Sequence, residues 1–285
     1  EKIVCQGEEN MKVIVLAENT GCETCPGEHG LSLFIENNGY KILLDAGKSP
    51  LFAENAQTLD VDLKSVDFAV LSHSHYDHAD GFDTFFEIND TARLYVREGT
   101  GETYFSKHGE ELRYIGPKKG MLKQYQDRVV LVDEAFARIE QEDVFLVPHN
   151  TKGLEAIGEK AKLYKLENGE LLPDDFAHEQ SLVIKTAKGL VIFNSCSHGG
   201  PANIIREVTE AAEWGPDSRI YAYVGGFHLS KYPEEDVLEF AQVLKELQIE
   251  RIITGHCTGE RACEILQEQL GERLEVMYSG MVIDI

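Results

Sequence analysis

The first half of the chain consists of short apolar runs separated by polar turns. Residues 31–36 and 40–45 are two such runs on either side of Asn37-Asn38-Gly39, a sequence typical of a β-hairpin turn. Residues 68–71 are wholly apolar, which predicts a strand buried on both faces. The other elements predicted here are strands at 12–18, 93–96 and 129–132 and helices at 50–63 and 82–86.

The second half repeats this organisation and adds more helices. Meander strands followed by strand–helix alternation, in both halves, predict two mixed sheets packed face to face with helices outside, in one domain spanning 1–285. The polar segment 97–128 interrupts the pattern and is interpreted as an insertion. The predicted elements are strands at 182–186, 190–194, 219–224, 251–254 and 274–278 and helices at 202–214, 233–247 and 260–269.

Charge and composition narrow the classes of function. The 285 residues include 27 Lys and Arg against 50 Asp and Glu, a net charge of −23, which disfavours binding to long nucleic acid or to anionic membranes. No apolar run approaches the ~20 residues that span a bilayer, and residues 1–10 do not resemble an export signal. We therefore expect a cytoplasmic protein that acts on a small molecule.

Six cysteines are too few for a disulfide scaffold in a chain of this length. Cys22 and Cys25 form a C-x-x-C motif, but no second pair follows it and its flanks lack the strand-to-helix context of a thioredoxin motif. Three interpretations stay open for this pair: two free thiols in a loop, a redox pair, or part of a structural metal site.

Histidines follow several of the predicted strands. Residues at strand ends of a layered fold converge on one rim, where loops carry chemistry on a rigid scaffold. His73 and His75 are two positions apart on an extended segment, so their imidazoles point the same way and can bind one ion. Asp77 and His78 can face a second ion, and zinc, iron or manganese would suit these ligands. The strand-end histidines are His73, His75, His78, His198, His228 and His256.

The motif His73-x-His75-x-Asp77-His78 resembles the first metal motif of the metallo-β-lactamase-fold superfamily, and Asp45-Ala46-Gly47 resembles its strand-ending Asp-x-Gly. Four more motifs resemble one branch, the dihydropterin ribofuranosylaminobenzene phosphate synthase-like proteins. The resemblance covers residues 28 to 259 and implies an αββα sandwich with a two-metal site on its edge, where zinc is the expected metal. The branch motifs are EHGLS at 28–32, NSCSHGG at 194–200, GGFHL at 225–229 and GHCTG at 255–259.

Carried over by position, the resemblance assigns two sets of metal ligands. Many members of the superfamily place a bridging Asp after the strand 190–194, where this chain has Ser195-Cys196. Cys196 is either a thiolate ligand or a buried bystander, and His178 is either a ligand or a structural residue. Asp45 is expected to orient the ligands. The implied ligands are His73, His75 and His198 for the first ion and Asp77, His78 and His256 for the second.

The ions suggest a mechanism, because water bound to them loses a proton near neutral pH and becomes a nucleophile. Asp77 is a candidate base, although a carboxylate that binds a cation is a poor one. His228 follows two glycines that let the backbone approach a ligand, and its imidazole could donate to a phosphoryl oxygen or protonate a leaving group. A hydrogen-bonded rim residue is the alternative role for His228.

The segment 107–128 is basic in an acidic chain. Lys118 and Lys119 are therefore candidates for binding an anionic substrate, although a solvated loop would have the same composition. His178 and Cys196 are further candidates for contact with the substrate. The leading hypothesis is a metal-dependent hydrolase or synthase acting on a small anionic, phosphate-bearing and possibly pterin substrate. The alternatives are a phosphodiesterase for cyclic or short nucleotides, a non-catalytic metal- or pterin-binding sensor, and di-iron redox chemistry.

Overall fold

A computed structural model describes residues 11–133, 136–211, 214 and 219–285. The expectation that residues 1–10 are not an export signal concerns residues outside this range. The strands are β1 Met11–Ala17, β2 Ser32–Asn37, β3 Tyr40–Leu44, β4 Phe68–Val70, β5 Arg93–Arg97, β6 Tyr104–His108, β7 Glu111–Tyr114, β8 Val129–Val132, β9 Ala137–Arg138, β10 Val144–Pro148, β11 Leu163–Glu167, β12 Glu170–Pro173, β13 Gln180–Thr186, β14 Gly189–Phe193, β15 Ile220–Val224, β16 Arg251–Thr254, β17 Leu274–Val276 and β18 Val282–Asp284.

The helices are α1 Leu51–Thr58, α2 Tyr76–Ala79, α3 Phe82–Ile88, α4 Met121–Gln124, α5 Glu155–Ala161, α6 Pro201–Glu210, α7 Glu234–Glu246 and α8 Glu260–Leu270. Helix α1 is shorter than its apolar spacing predicts, because the chain turns at Asp60, whose φ is 55°. Helix α6 ends at Glu210, and residues 212 and 213 of the predicted helix 202–214 lie outside the described residues. Among the described helices, none is long and apolar enough to cross a membrane.

The two large sheets have the same internal plan. The first has the order β18-β1-β2-β3-β4-β5-β8 and the second the order β17-β16-β15-β14-β13-β10-β9. In the first sheet, β3, β4, β5 and β8 are parallel and the rest are antiparallel. In the second, β14 to β17 are parallel and the rest antiparallel. Each sheet therefore has a block of parallel strands whose carboxyl ends lie at one edge.

Apolar side chains fill three layers. Alternate residues of both sheets, such as Val15, Ile42, Val70, Leu182 and Val224, form the core between the sheets. The outer face of the first sheet packs against α1, α3 and α4, and that of the second packs against α6, α7 and α8. The predicted αββα sandwich is confirmed.

A third sheet, β12-β11-β6-β7, was not predicted. The hairpin β6–β7 comes from the predicted insertion 97–128, whereas β11–β12 comes from a segment some fifty residues later. The two hairpins join through β6 and β11 over a small apolar cluster that includes Tyr104, Ile115 and Phe176. We call this third sheet and its cluster the lobe. The insertion is thus only half of a lobe that needs both segments.

Candidate metal centre

Every strand-end histidine of the sequence pattern lies at the carboxyl edge of the parallel strands. The turn after β4 carries His73 to His78, and the loops after β14, β15 and β16 carry His198, His228 and His256. This edge is where ligands bind in open α/β sheets. The parallel strands of both sheets end at the same edge of the sandwich. His73 and His256, which are 183 positions apart in the sequence, therefore lie in one site.

His73, His75 and His198 form a buried group that we call the triad. One ring nitrogen of each lies within 4.8 Å of the others. Both ring nitrogens of His198 and the Nε2 atoms of His73 and His75 are buried without a hydrogen-bond partner. Burial and the neighbouring imidazoles hold the pKa of all three well below the usual range. Neutral imidazoles with unpaired buried nitrogens are costly unless they bind something, and a divalent ion fits this donor set.

The residues behind the triad orient the His73 ring and hold the backbone at His198. The Ser72 hydroxyl donates to Asp45, so its oxygen accepts the Nδ1–H of His73 at 2.8 Å. This leaves the lone pair of His73 Nε2 facing the triad. The backbone N–H groups of His198 and Gly199 donate to the buried Glu179 carboxylate at 2.9 and 2.8 Å.

Asp77, His78, His256 and Cys196 form a second group beside the triad. His78 Nε2 lies 3.1 Å from His256 Nε2, 3.3 Å from Cys196 Sγ and 3.6 Å from Asp77 Oδ2. Asp77 Oδ2 is also 3.5 Å from His256 Nε2. Burial would lower the pKa of His78, but the carboxylates of Asp77 and Asp45 outweigh it and raise that pKa. The group therefore favours a positive charge among its ligand atoms.

Two residues outside the group fix the tautomers of its histidines. The Nδ1–H of His78 donates to the fully buried Asp45 carboxylate at 2.8 Å. The Nδ1–H of His256 donates to Asn19 Oδ1 at 2.9 Å. Both Nε2 lone pairs therefore point at each other, an arrangement of two acceptors that a shared cation stabilises. Asp45 takes the orienting place that sequence reasoning expects for it, whereas Asn19 has no recognisable signal in the sequence.

Cys196 lies where the triad and the second group meet. Its sulfur is within 4.8 Å of ligand atoms of His73 and His78, and also of His256 and Cys257. Burial raises the pKa of the Cys196 thiol well above its usual range, and a bound cation would reverse this by removing the proton. The Cys257 thiol instead contacts the carbonyl oxygens of Ser195 and Cys196 at 3.9 and 3.6 Å. Of the two alternatives for Cys196, the ligand position is the one that the geometry supports.

His178 lies within ligand distance of His75 and Asp174, but its hydrogen bonds favour the structural role over the ligand role. The N–H of Ser74 donates to His178 Nδ1 at 2.9 Å, and His178 Nε2–H donates to Asp174 at 3.2 Å. Both ring nitrogens are therefore engaged. Gln180, two positions further on, donates to the carbonyls of Leu71 and Tyr95. The segment 178–180 therefore supports the turn that carries His73 to His78.

Lys118 and Lys119 are not brought to the site, which corrects their assignment to substrate binding. The ammonium of Lys118 pairs with Asp83, and that of Lys119 lies 5.0 Å from the ring centre of Tyr114. Among the described residues, the arginine that lines the cavity above the candidate metal ligands is Arg113, on β7 of the lobe. It was missed because a single exposed arginine in a polar hairpin carries no distinctive pattern.

The cavity above the ligands, which we call the metal cavity, has a volume of about 180 Å³. The Arg113 guanidinium lies 5.5 Å from the ring centre of Tyr76 and within 3.4 Å of its hydroxyl. The half-exposed His29 lies 3.2 Å from Asp77, so this loop reaches the rim. Its neighbour Glu28 instead accepts from the Ser49 hydroxyl at 2.6 Å.

A second cavity, the side cavity, has a volume of about 220 Å³ and adjoins the first. His198 and His228 line both cavities. The His228 ring lies 4.3 Å from the His198 ring, and burial lowers the pKa of His228 to about 4. At neutral pH His228 is thus an uncharged imidazole that can donate an N–H, rather than an imidazolium acid. The side cavity is also lined by Asn203, Phe227, Leu229, Tyr232 and Phe240.

The sequence and fold are similar to proteins of known family. The profile of the metallo-β-lactamase superfamily matches residues 25–158. A Methanocaldococcus jannaschii protein is 32% identical over 297 residues, which cover 96% of this chain and 97% of that protein. Its name is 7,8-dihydropterin-6-methyl-4-(β-D-ribofuranosyl)-aminobenzene-5′-phosphate synthase. The chain belongs to the metallo-β-lactamase superfamily. Both the superfamily and the branch inferred from the motifs are confirmed.

Solved structures of the superfamily agree with the fold. A metal-dependent hydrolase of the β-lactamase superfamily has a TM-score of 0.82 and 28% identity, and the match covers 96% of this chain and 99% of that one. A diphosphatase of the PhnP family has a TM-score of 0.52 and 16% identity, with 97% of each chain covered. The second likeness concerns the fold alone.

Proposed function

We propose that this chain is a metal-dependent enzyme that joins a phosphate-bearing, pterin-type substrate to a second small molecule. The observation that carries the proposal is the pair of cavities that meet at His198 and His228. A hydrolase needs room for one organic substrate beside a water molecule. A synthase needs room for two, with the reacting atoms of both at the same centre.

The triad and the second group supply the ligands that such a centre requires. His73, His75 and His198 would hold one divalent ion, and Asp77, His78 and His256 a second, with Cys196 between them. Ions held there would polarise a phosphoryl oxygen and stabilise the charge that develops on a leaving group. The donor set accepts zinc, iron or manganese.

The protein side chains around the ions provide orientation and charge. The Arg113 guanidinium presents a fork that matches a phosphate group, and the Tyr76 ring beneath it limits where that group can lie. The neutral His228, between the two cavities, can donate a hydrogen bond to the oxygen of the departing phosphate. The aromatic side cavity, with Phe227 and Phe240, suits the flat ring of the second molecule.

The test supplies both kinds of substrate. Metal-loaded enzyme is incubated with a 7,8-dihydropterin that carries a phosphate-type leaving group on its 6-methyl carbon, with and without (β-D-ribofuranosyl)-aminobenzene 5′-phosphate, and products are followed by mass spectrometry. We expect a coupled product only when both are present. His198→Ala should be inactive, whereas His108→Ala, a change at an exposed histidine of β6, should keep full activity.

Three other outcomes would each contradict the proposal. Release of the phosphate-type leaving group from the pterin at the same rate without (β-D-ribofuranosyl)-aminobenzene 5′-phosphate would indicate a hydrolase. Turnover of cyclic or linear phosphodiesters in place of the pterin would indicate the phosphodiesterase alternative. Tight binding of metal and pterin with no turnover of any of these compounds would indicate a sensor.

A further inference from the structure

The loop between β1 and β2 carries two neighbouring thiols that the proposed reaction does not use. Cys22 is exposed and Cys25 is buried, and both are free. The N–H of Cys22 donates to the Cys25 carbonyl at 2.8 Å, which folds the C-x-x-C segment back on itself. The Thr24 hydroxyl lies 3.6 Å from the Cys22 sulfur and 3.9 Å from the Cys25 sulfur.

Gly280 shows that the two sulfurs converge. A Cβ built on Gly280 would lie 3.1 Å from the Cys22 sulfur and 3.1 Å from the Cys25 sulfur. Both sulfurs therefore border the same small volume, which only a residue without a side chain leaves open. The backbone of Gly280 also has a φ of 93°, a conformation that suits glycine.

The same loop holds one of the candidate metal ligands. At its start, the Glu18 carboxylate accepts the backbone N–H of His256, and Asn19 Oδ1 accepts the Nδ1–H of that residue. The loop is pinned to the chain beside Gly280, because the N–H of Ser279 donates to the Thr20 carbonyl at 2.8 Å. At its end, His29 lies against Asp77. In the sequence, the two cysteines therefore lie between two residues that contact the second group, Asn19 on His256 and His29 on Asp77.

We propose that Cys22 and Cys25 are a reversible thiol–disulfide site, and that the disulfide state holds the loop more firmly on His256. Exposure makes Cys22 the residue that reacts first, and the buried Cys25 the one that resolves the intermediate. Hydrogen bonds from Thr24 lower the pKa of the Cys22 thiol, whereas burial raises that of Cys25. This asymmetry matches the division of roles in C-x-x-C redox pairs.

The reaction is a two-electron exchange with a low-molecular-weight disulfide, for which oxidised glutathione is the probe. The Cys22 thiolate attacks one sulfur of glutathione disulfide, the S–S bond breaks, and one glutathione leaves as a thiolate that takes up a proton. The Cys25 thiolate then attacks the Cys22 sulfur of the mixed disulfide and expels the second glutathione. The two cysteines lose two protons and two electrons, and the small disulfide is reduced to two thiols.

The chemical step is tested by peptide mapping. Zinc-loaded protein is equilibrated in glutathione buffers of increasing oxidising strength, quenched with acid, alkylated and mapped by mass spectrometry without reduction. We expect a Cys22–Cys25 disulfide that reductant removes. Cys25→Ser should trap glutathione on Cys22, whereas Cys22→Ser should leave Cys25 unreacted. Absence of the disulfide in the most oxidising buffer, or glutathione on Cys25 in the Cys22→Ser variant, would overturn the proposal.

The coupling to His256 is tested by metal release, and this part rests on the metal centre proposed above. Zinc is transferred to a coloured chelator from reduced and from oxidised protein. We expect the faster-leaving ion to leave about three- to tenfold more slowly from the disulfide form, because closing the loop makes its local opening rarer. Asn19→Ala should remove most of this difference. Equal release rates for the two forms would overturn the coupling, and the peptide map stands independently of that result.

Discussion

The triad and the second group lie side by side but are stabilised in different ways. The triad nitrogens face one another in a fully buried space, and four of them lack any partner. In the second group, His78, His256 and Asp77 already contact one another, and the half-exposed His29 lies against Asp77. Within the described part of the protein the triad nitrogens in question therefore have no partner, so they are available to a bound ion. The second group can also accept a proton, since the pKa of His78 is raised.

This difference has a consequence for the two ions. The triad donates buried hydrogen bonds to Glu179 and Ser72, whereas the second group depends on the β1–β2 loop through Asn19 and His29. Surface loops open more often than buried elements. We therefore expect an ion in the triad to be retained and an ion in the second group to exchange with solvent ions.

The largest effect is expected from His198→Ala, which removes the triad residue whose two ring nitrogens both lack partners. Loss of a ligand exceeds the 10- to 100-fold effect of losing a residue that merely orients one, so we expect activity to fall by more than about a hundredfold. Metal content by atomic spectroscopy should fall as well, while circular dichroism stays unchanged. His108→Ala is the matched control. An active variant with full metal content would show that the triad is not a metal site.

Cys196→Ala tests the residue between the two groups. If the thiolate is a ligand, the affinity for the more weakly bound ion should fall by more than about tenfold, the lower end of the effect of losing a residue that merely orients a ligand, measured by competition with a chelator. Cys257→Ala is the comparison, because that thiol contacts backbone carbonyls and should change the affinity far less. Equal affinities in Cys196→Ala and the parent protein would make Cys196 a buried bystander.

The smallest effect concerns the lobe rather than the ions. Arg113→Ala should raise KM for an anionic substrate about tenfold, which is about 1.4 kcal/mol, and leave kcat nearly unchanged, because binding lost equally from ground and transition states appears in KM. Lys118→Ala should leave both constants unchanged, since that lysine pairs with Asp83. Steady-state kinetics over a salt series would check this. A larger KM effect at Lys118 than at Arg113 would restore the original assignment of the anion site.

Much of the centre could be predicted because its information is local. The spacing of His73, His75, Asp77 and His78 depends only on the alternation of side chains along an extended segment followed by a turn. The apolar runs that precede each histidine identify buried parallel strands without knowledge of their partners. From these two features the rim and its strand-end histidines follow, whereas the division of six ligands between two ions was implied by the resemblance to the superfamily. The predicted fold is confirmed.

Tertiary structure alone decided the parts that depend on distant pairing. The segments of β11 and β12 lack an apolar run, so the sequence does not predict strands there. They form part of a sheet only because β11 pairs with β6, a strand far away in the sequence. The roles of His178 and Asn19 depend on contacts with Ser74 and His256 that are 104 and 237 positions away. For the same reason, Lys118 and Arg113 are indistinguishable in the sequence. Residue types and local spacing determine which side chains can bind a metal or an anion, but their positions are set by backbone hydrogen bonds and packing between remote segments.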